Sequence, residues 1–185
     1  MDFVYQLKIT LKHSQPPIWR RVQVPANISL HQLHQVIQVV MGWTNSHLHQ
    51  FIVHGVFYGD DDPEFGLGSE MEFVSEHQTD LDQMVSTEKE KFIYEYDFGD
   101  GWEHQIVLEK ILPPEPNRNY PTCLTGKRAC PPEDVGGVWG YDSFLETIKN
   151  KKHPEHRAML EWVGGPFDPE EFKLEEVNEE LKNLQ

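Results

Sequence analysis

Apolar and polar residues alternate over residues 3–11, placing Phe3, Tyr5, Leu7, Ile9 and Leu11 on one side. This period of two predicts a strand. Residues 18–24 predict a second strand that Pro25 stops, and Ser14-Gln15-Pro16-Pro17 between them turns the pair into a hairpin. The period then lengthens. Ser29 reads as an N-cap with Gln32 completing a capping box, Leu30, Leu33, Ile37, Val40 and Met41 share one helical face, and Gly42 ends the helix. Residues 48–58 predict a strand bounded by Gly59 and by Asp60-Asp61-Asp62-Pro63. Residues 60–90 are polar and weakly periodic, so loop with short helical or strand pieces is expected.

The clearest hairpin is 92–97 with 102–111. Phe92, Tyr94 and Tyr96 alternate on one arm and Trp102, His104, Ile106 and Leu108 on the other. Between them lies Asp97-Phe98-Gly99-Asp100-Gly101, whose Asp-Gly pair favours positive φ. Residues 112–140 are so rich in Pro and Gly that a long loop, clamped onto the body, is expected. Three helices follow, over about 141–150, from near Pro154 to Gly164-Gly165, and after Asp168-Pro169 with Leu174, Val177, Leu181 and Leu184 as its stripe.

Hairpin, helix, strand is the opening of a β-grasp (ubiquitin-like) arrangement. The predicted fold is therefore α+β: a mixed sheet packed by a helix, with a long Pro/Gly-rich loop and C-terminal helices. The expected organisation is a single α+β domain over 1–185, with a sheet-and-helix core at 1–111, a clamped loop at 112–140 and a helical cap at 141–185. The chain's 11% aromatic residues, including 5 Trp, argue against disorder. The sequence has no run of 18 apolar residues, no basic-then-apolar leader and only 2 Cys, which together predict a cytoplasmic protein without a membrane span or a disulfide framework.

Charge changes the picture of partners. The net charge is −15, but it is local: residues 60–103 hold 15 acidic and 2 basic residues, whereas residues 1–59 hold 1 acidic and 4 basic. An acidic middle repels phosphate backbones, so nonspecific nucleic-acid binding is disfavoured and a protein or small ligand is the expected partner.

Several segments together resemble a known family. They are Pro16-Pro17-Ile18-Trp19-Arg20-Arg21, Leu33-His34 through Met41-Gly42-Trp43, His47-Leu48-His49-Gln50-Phe51 and Tyr96-Asp97-Phe98-Gly99-Asp100-Gly101-Trp102-Glu103-His104. Ala129-Cys130-Pro131-Pro132-Glu133-Asp134-Val135-Gly136-Gly137, Gly140-Tyr141 and Phe167-Asp168-Pro169 follow in order. The chain resembles the Ri-plasmid ORF-three-like family, also labelled insertion-element passenger TnpR proteins, over about residues 3–182. The resemblance implies an association with plasmids and mobile elements and carries no catalytic residue onto this chain. The TnpR label suggests recombination, yet the sequence has no Ser or Tyr recombinase signature.

Four sets of residues carry candidate chemistry. Six of the ten histidines lie within residues 1–59. His47 and His49 are two apart, His34 falls on the apolar face of the helix, and His104 alternates with Trp102 and Ile106; imidazoles among apolar residues need partners, and two or three that meet can hold Zn²⁺. Cys123 and Cys130 have six residues between them, a poor match to zinc-ribbon spacing, though Cys130 can join a histidine as ligand. Asp97, Asp100, Glu133 and Asp134 would converge if the long loop folded back on the hairpin tip, a set suited to Mg²⁺ or Mn²⁺. Trp43, Trp102 and Trp139, with Tyr141 and Arg20, can line a pocket or groove. The leading expectation is a non-catalytic binding or accessory module. The alternatives are a metal-dependent hydrolase or nuclease using these His, Asp and Glu ligands, and a DNA-associated accessory factor.

Overall fold

A computed structural model describes residues 2–61 and 73–184. The chain forms an α+β fold around one mixed sheet of eight strands in the order β5-β4-β3-β6-β7-β1-β2-β8. β1 (Val4–Leu11) and β2 (Trp19–Pro25) form the first hairpin, pairing Val4 with Pro25 and Thr10 with Trp19. α1 (Leu30–Met41) follows. Its capping box is formed, with Ser29 Oγ accepting from Gln32 N–H and the Gln32 side chain accepting from Ser29 N–H, and Gly42 ends it at φ +109°. β1 lies between β2 and β7 and is antiparallel to both. Tyr5, Leu7, Ile9 and Leu11 meet Leu30, Leu33, Ile37, Val40 and Met41 in one buried cluster, so the two periodicities read from the sequence are the two halves of the core.

The segment 48–58, expected as one strand, is two. β3 (His49–Val53) and β4 (Val56–Gly59) form a hairpin whose turn residues His54 and Gly55 both have positive φ, the two-residue geometry that suits the twist of paired strands. β5 (Val74–Ser75) adds to β4 in parallel, and α2 (Leu81–Met84) follows; residues 62–72 of the expected loop lie outside the described residues. β6 (Lys91–Tyr96) and β7 (Trp102–Leu112) form the expected hairpin, with Gly101 at φ +68° and Asp97 at φ +59° in its turn.

The expected loop 112–140 needs correction. Within it β8 (Thr122–Lys127) pairs with β2 and completes the sheet, and α3 (Gly137–Lys149) begins before residue 140. β8 escapes periodicity because only Cys123 on it is buried. Pairing supplies what alternation does not: Asn178 of α5 (Leu174–Lys182) accepts from Cys123 N–H at 2.8 Å and donates to Cys123 O at 2.9 Å, satisfying the outer edge of the strand. α4 (His156–Val163) packs against α3, with Trp162 edge-on to Phe144, and no helix among the described residues is long and apolar enough to cross a membrane.

Two contacts fasten the N-terminus of α3 to the β6–β7 turn. Asp100 Oδ2 accepts from Gly136 N–H at 3.1 Å, and Gly137 lies so close that a Cβ there would stand 2.6 Å from Asp100 O. Gly137 also has φ +70°. Gly137→Ala should therefore destabilise the fold by about 2–4 kcal/mol, combining left-handed strain with a backbone clash. Urea unfolding measures it; a variant within about 0.5 kcal/mol of the parent would show that this approach is not held tightly.

Candidate functional site

The β6–β7 turn, the segment after α1 and the residues ahead of α3 meet around His47. Its Nε2 stands 2.8 Å from Asp134 Oδ1, 3.6 Å from Asp97 Oδ2 and 3.8 Å from Glu133 Oε2. Each inner carboxylate has one oxygen committed to the protein. Asp97 Oδ1 accepts from Gly99 N–H at 3.0 Å and Asp100 N–H at 3.3 Å. Glu133 Oε1 accepts from Thr44 N–H at 2.8 Å, Thr44 Oγ1 at 3.1 Å and Tyr96 OH at 3.0 Å. Burial, joined by the charge of Glu133, pushes the Tyr96 phenol upward, so it remains a donor. The second oxygens face the imidazole: Glu133 Oε2 and His47 Nε2 are both shut off from solvent, and neither has a hydrogen-bond partner among the described residues, the 2.8 Å approach of Asp134 Oδ1 to Nε2 falling outside hydrogen-bond geometry. His47, Asp97 and Asp134 each offer a ligand atom within 4.8 Å of the others.

The other sequence candidates fall elsewhere. Asp100 braces Gly136 instead of facing His47. His104 is fully buried with both ring nitrogens engaged: Nδ1–H donates to Tyr94 O at 3.1 Å and Nε2 accepts from Trp43 Nε1–H at 3.3 Å. It therefore has no lone pair for a metal, and burial lowers its pKa to about 4. Cys130 packs against Gly42 rather than joining a histidine, and burial pushes its thiol well up. Cys123 and Cys130 are both free thiols.

The aromatic groove also needs correction. Trp43 and Trp102 are core residues packed on each other at 5.1 Å between ring centroids. Tyr141 packs on Phe144 and Phe167 beneath the C-terminal helices. Trp139 points outward and is 86% exposed. Arg20 is buried beneath the end of α1 and satisfies backbone carbonyls. Large apolar rings next to turn glycines are here held by burial, which sequence order does not reveal.

A different cleft exists, of about 410 Å³, and His47 lies on its wall with His31, His34, His49, Tyr58 and Asp60. Behind two of these wall residues, His31 and His49, Glu76 is 0% exposed. Its Oε1 meets His31 Nδ1 at 2.9 Å and its Oε2 meets His49 Nε2 at 2.7 Å. Burial alone would raise the Glu76 carboxyl, but the hydrogen bond and charge of His49 and the hydrogen bond of His31 outweigh it and hold its pKa below the usual value. His49, expected beside His47 as a ligand, is thus turned to Glu76. It stacks on His34 at 3.4 Å and an interplanar angle of 6°. His34 is fixed by Tyr94 OH at 2.7 Å and Asn45 Oδ1 at 2.9 Å, and burial, with His49 alongside, lowers its pKa to about 3. Sequence reasoning missed Glu76 and His77, because a Glu-His pair in a weakly periodic acidic stretch carries no motif.

A family model described as "Plasmid pRiA4b ORF-3-like protein" matches residues 3–176. The chain is 40% identical over 182 residues to "Uncharacterized protein y4hQ" of Sinorhizobium fredii, covering 98% of this chain and 92% of that protein. It is similar to the crystal structure of "Protein of Unknown Function MM3350" from Methanosarcina mazei Go1, with a TM-score of 0.85, 39% identity, and coverage of 96% of this chain and 98% of that one.

Proposed function

The chain belongs to the plasmid pRiA4b ORF-3-like family, and we propose that it is a non-catalytic binding module that holds a divalent cation at His47, Asp97, Glu133 and Asp134. One observation carries this reading: Asp97 and Glu133 each spend one oxygen on structure and aim the other at His47 Nε2. Outer hydrogen bonds that fix ligand orientation are the usual support of a metal site. Three carboxylates with one imidazole favour a hard, oxygen-loving ion of the Mg²⁺ and Mn²⁺ class. Because His47 also borders the 410 Å³ cleft, such an ion would stand at the edge of a space suited to a small ligand. The acidic chain supports a protein or small-molecule partner over nucleic acid.

The fold reading that goes with this is one α+β unit with a β-grasp-like opening. The order β1-β2-α1-β3 supports it, while the antiparallel pairing of β1 with β7 departs from the ubiquitin arrangement.

Mn²⁺ titration followed by electron paramagnetic resonance tests the site. Asp97 and Asp134 both have positive φ, which Asn tolerates, so Asp97→Asn and Asp134→Asn remove charge without forcing the backbone. Each should weaken Mn²⁺ binding at least about tenfold. Binding that ignores both substitutions, or a parent protein that takes up no Mn²⁺ at millimolar concentration, would sink the reading. A hydrolase remains the second reading, because His47 both faces the carboxylates and borders the cleft. Mn²⁺-dependent cleavage of bis(p-nitrophenyl) phosphate that Asp97→Asn abolishes would favour it, and equal rates in parent and variant would remove it.

A further inference from the structure

Where His31 and Asp60 line the cleft, a second constellation lies outside the His47 site. His31, Asp60, Glu76 and His77 each present a ligand atom, and the four atoms lie within 4.8 Å of one another. They come from the first turn of α1, the residue after β4 and the turn after β5. Backbone hydrogen bonds tie these pieces together: Glu76 N–H donates to Gly59 O at 2.9 Å, and His31 N–H donates to Glu76 O at 3.1 Å. His77 stacks on His31 at 4.1 Å and reaches Asp60 Oδ1 at 3.4 Å.

From this geometry we infer a second metal site, at His31, Asp60, Glu76 and His77, that takes a borderline transition-metal dication of the Zn²⁺ class. Three features of the cluster lead there. Two imidazoles and two carboxylates form a nitrogen-and-oxygen donor set that suits Zn²⁺ better than Mg²⁺ or Ca²⁺. A carboxylate as wholly buried as Glu76 needs compensation, and a dication supplies it. The second oxygen of Glu76 is held by His49, which His34 in turn backs by stacking, so the carboxylate is oriented from behind.

Binding places the metal where the His31 Nδ1–Glu76 Oε1 hydrogen bond now stands, and the neutral imidazole then carries its proton on Nε2. His31 and Asp60 both line the cleft, so this site borders the same space as His47. This site does not depend on the His47 site, and its donor set predicts the opposite metal preference.

Co²⁺ serves as the probe, since its visible absorption reports nitrogen-and-oxygen ligation directly. The full chain, stripped with a chelator, is titrated with Co²⁺ and then with competing Zn²⁺. His77→Ala changes an exposed side chain, and thermal unfolding checks that the variant is folded. His31→Gln is the second variant. The expected result is that both weaken Co²⁺ and Zn²⁺ binding at least about tenfold, while Asp97→Asn leaves the Co²⁺ spectrum intact. Parent-like spectra and affinities in both histidine variants would overturn the inference. A Co²⁺ signal lost only in Asp97→Asn would overturn it too, and would leave the His47 reading standing.

Discussion

Replacing Arg20 with Met should cost about 4 kcal/mol, a large share of the roughly 5–15 kcal/mol that holds a domain folded. Arg20 is 1% exposed, and its guanidinium serves four carbonyls. Nε donates to Val40 O at 2.6 Å, Nη1 to Trp19 O at 2.9 Å and Lys127 O at 3.0 Å, and Nη2 approaches Met41 O at 3.4 Å. Val40 and Met41 end α1, where carbonyls lack helical partners and a cation is favoured. The group also lies 4.1 Å above the Phe172 ring, and a Cβ at Gly126 would strike its Cδ at 2.8 Å. Burial lowers the Arg20 pKa, yet arginine remains charged. Met fills much of the volume but strands the carbonyls of α1, β2 and β8 away from water. Arg20→Lys should recover only part of the loss, about 2 kcal/mol, because an ammonium cannot span four acceptors. Urea unfolding of the three proteins provides the measurement. A Met variant within about 1 kcal/mol of the parent would mean that these carbonyls find other partners.

Acid should destabilise the protein steeply between pH 6.5 and about 4, with His104 contributing about 3 kcal/mol. His104 Nδ1–H is fixed by Tyr94 O, and Nε2 must accept from Trp43 Nε1–H. A second proton would set two N–H groups against each other in a site that burial, and the nearby Arg20 charge, already make hostile to a cation. The sign follows. The unfolded imidazole takes up a proton below about 6.5, the folded one only below about 4. Between those values the unfolded state binds more protons, so stability is highest above the window and falls as pH drops through it. His34, lowered to about 3, acts in the same direction. The slope of unfolding free energy against pH should flatten by about one proton in His104→Gln. That slope is read separately from any loss of absolute stability, and an unchanged slope would sink the argument.

Much of this architecture was legible as periodicity. The capping box at Ser29 and Gln32, the stripe from Leu30 to Met41 and the alternation of Phe92, Tyr94 and Tyr96 are local patterns. Each one matched an element, because burial of one face imposes a repeat that neighbours along the chain record. The convergence of Asp97, Glu133 and Asp134 was legible only as a condition, that the later segment return to the hairpin tip. Gly137 above Asp100 O meets that condition geometrically. His104 looked like a ligand by residue type. What excludes it is two partners, Tyr94 O and Trp43 Nε1, and only one of them lies near it in sequence.

Periodicity along the chain marks the buried faces of α1, β6 and β7 and of β1 from Tyr5 to Leu11, while Phe3, read onto the same side, is 54% exposed; the charge pattern places the acidity mainly in the middle. Tertiary structure alone decided which imidazoles meet which carboxylates. His47 and His49 are two residues apart, yet one turns to Asp134 and the other to Glu76. It also decided that β8 is a strand, through pairing with β2 and an edge filled by Asn178. The physical reason is common to both. Hydrophobic burial leaves a periodic trace along the chain, whereas hydrogen bonds and ion pairs are short-ranged and directional, and they join residues whose separation in sequence carries no signal.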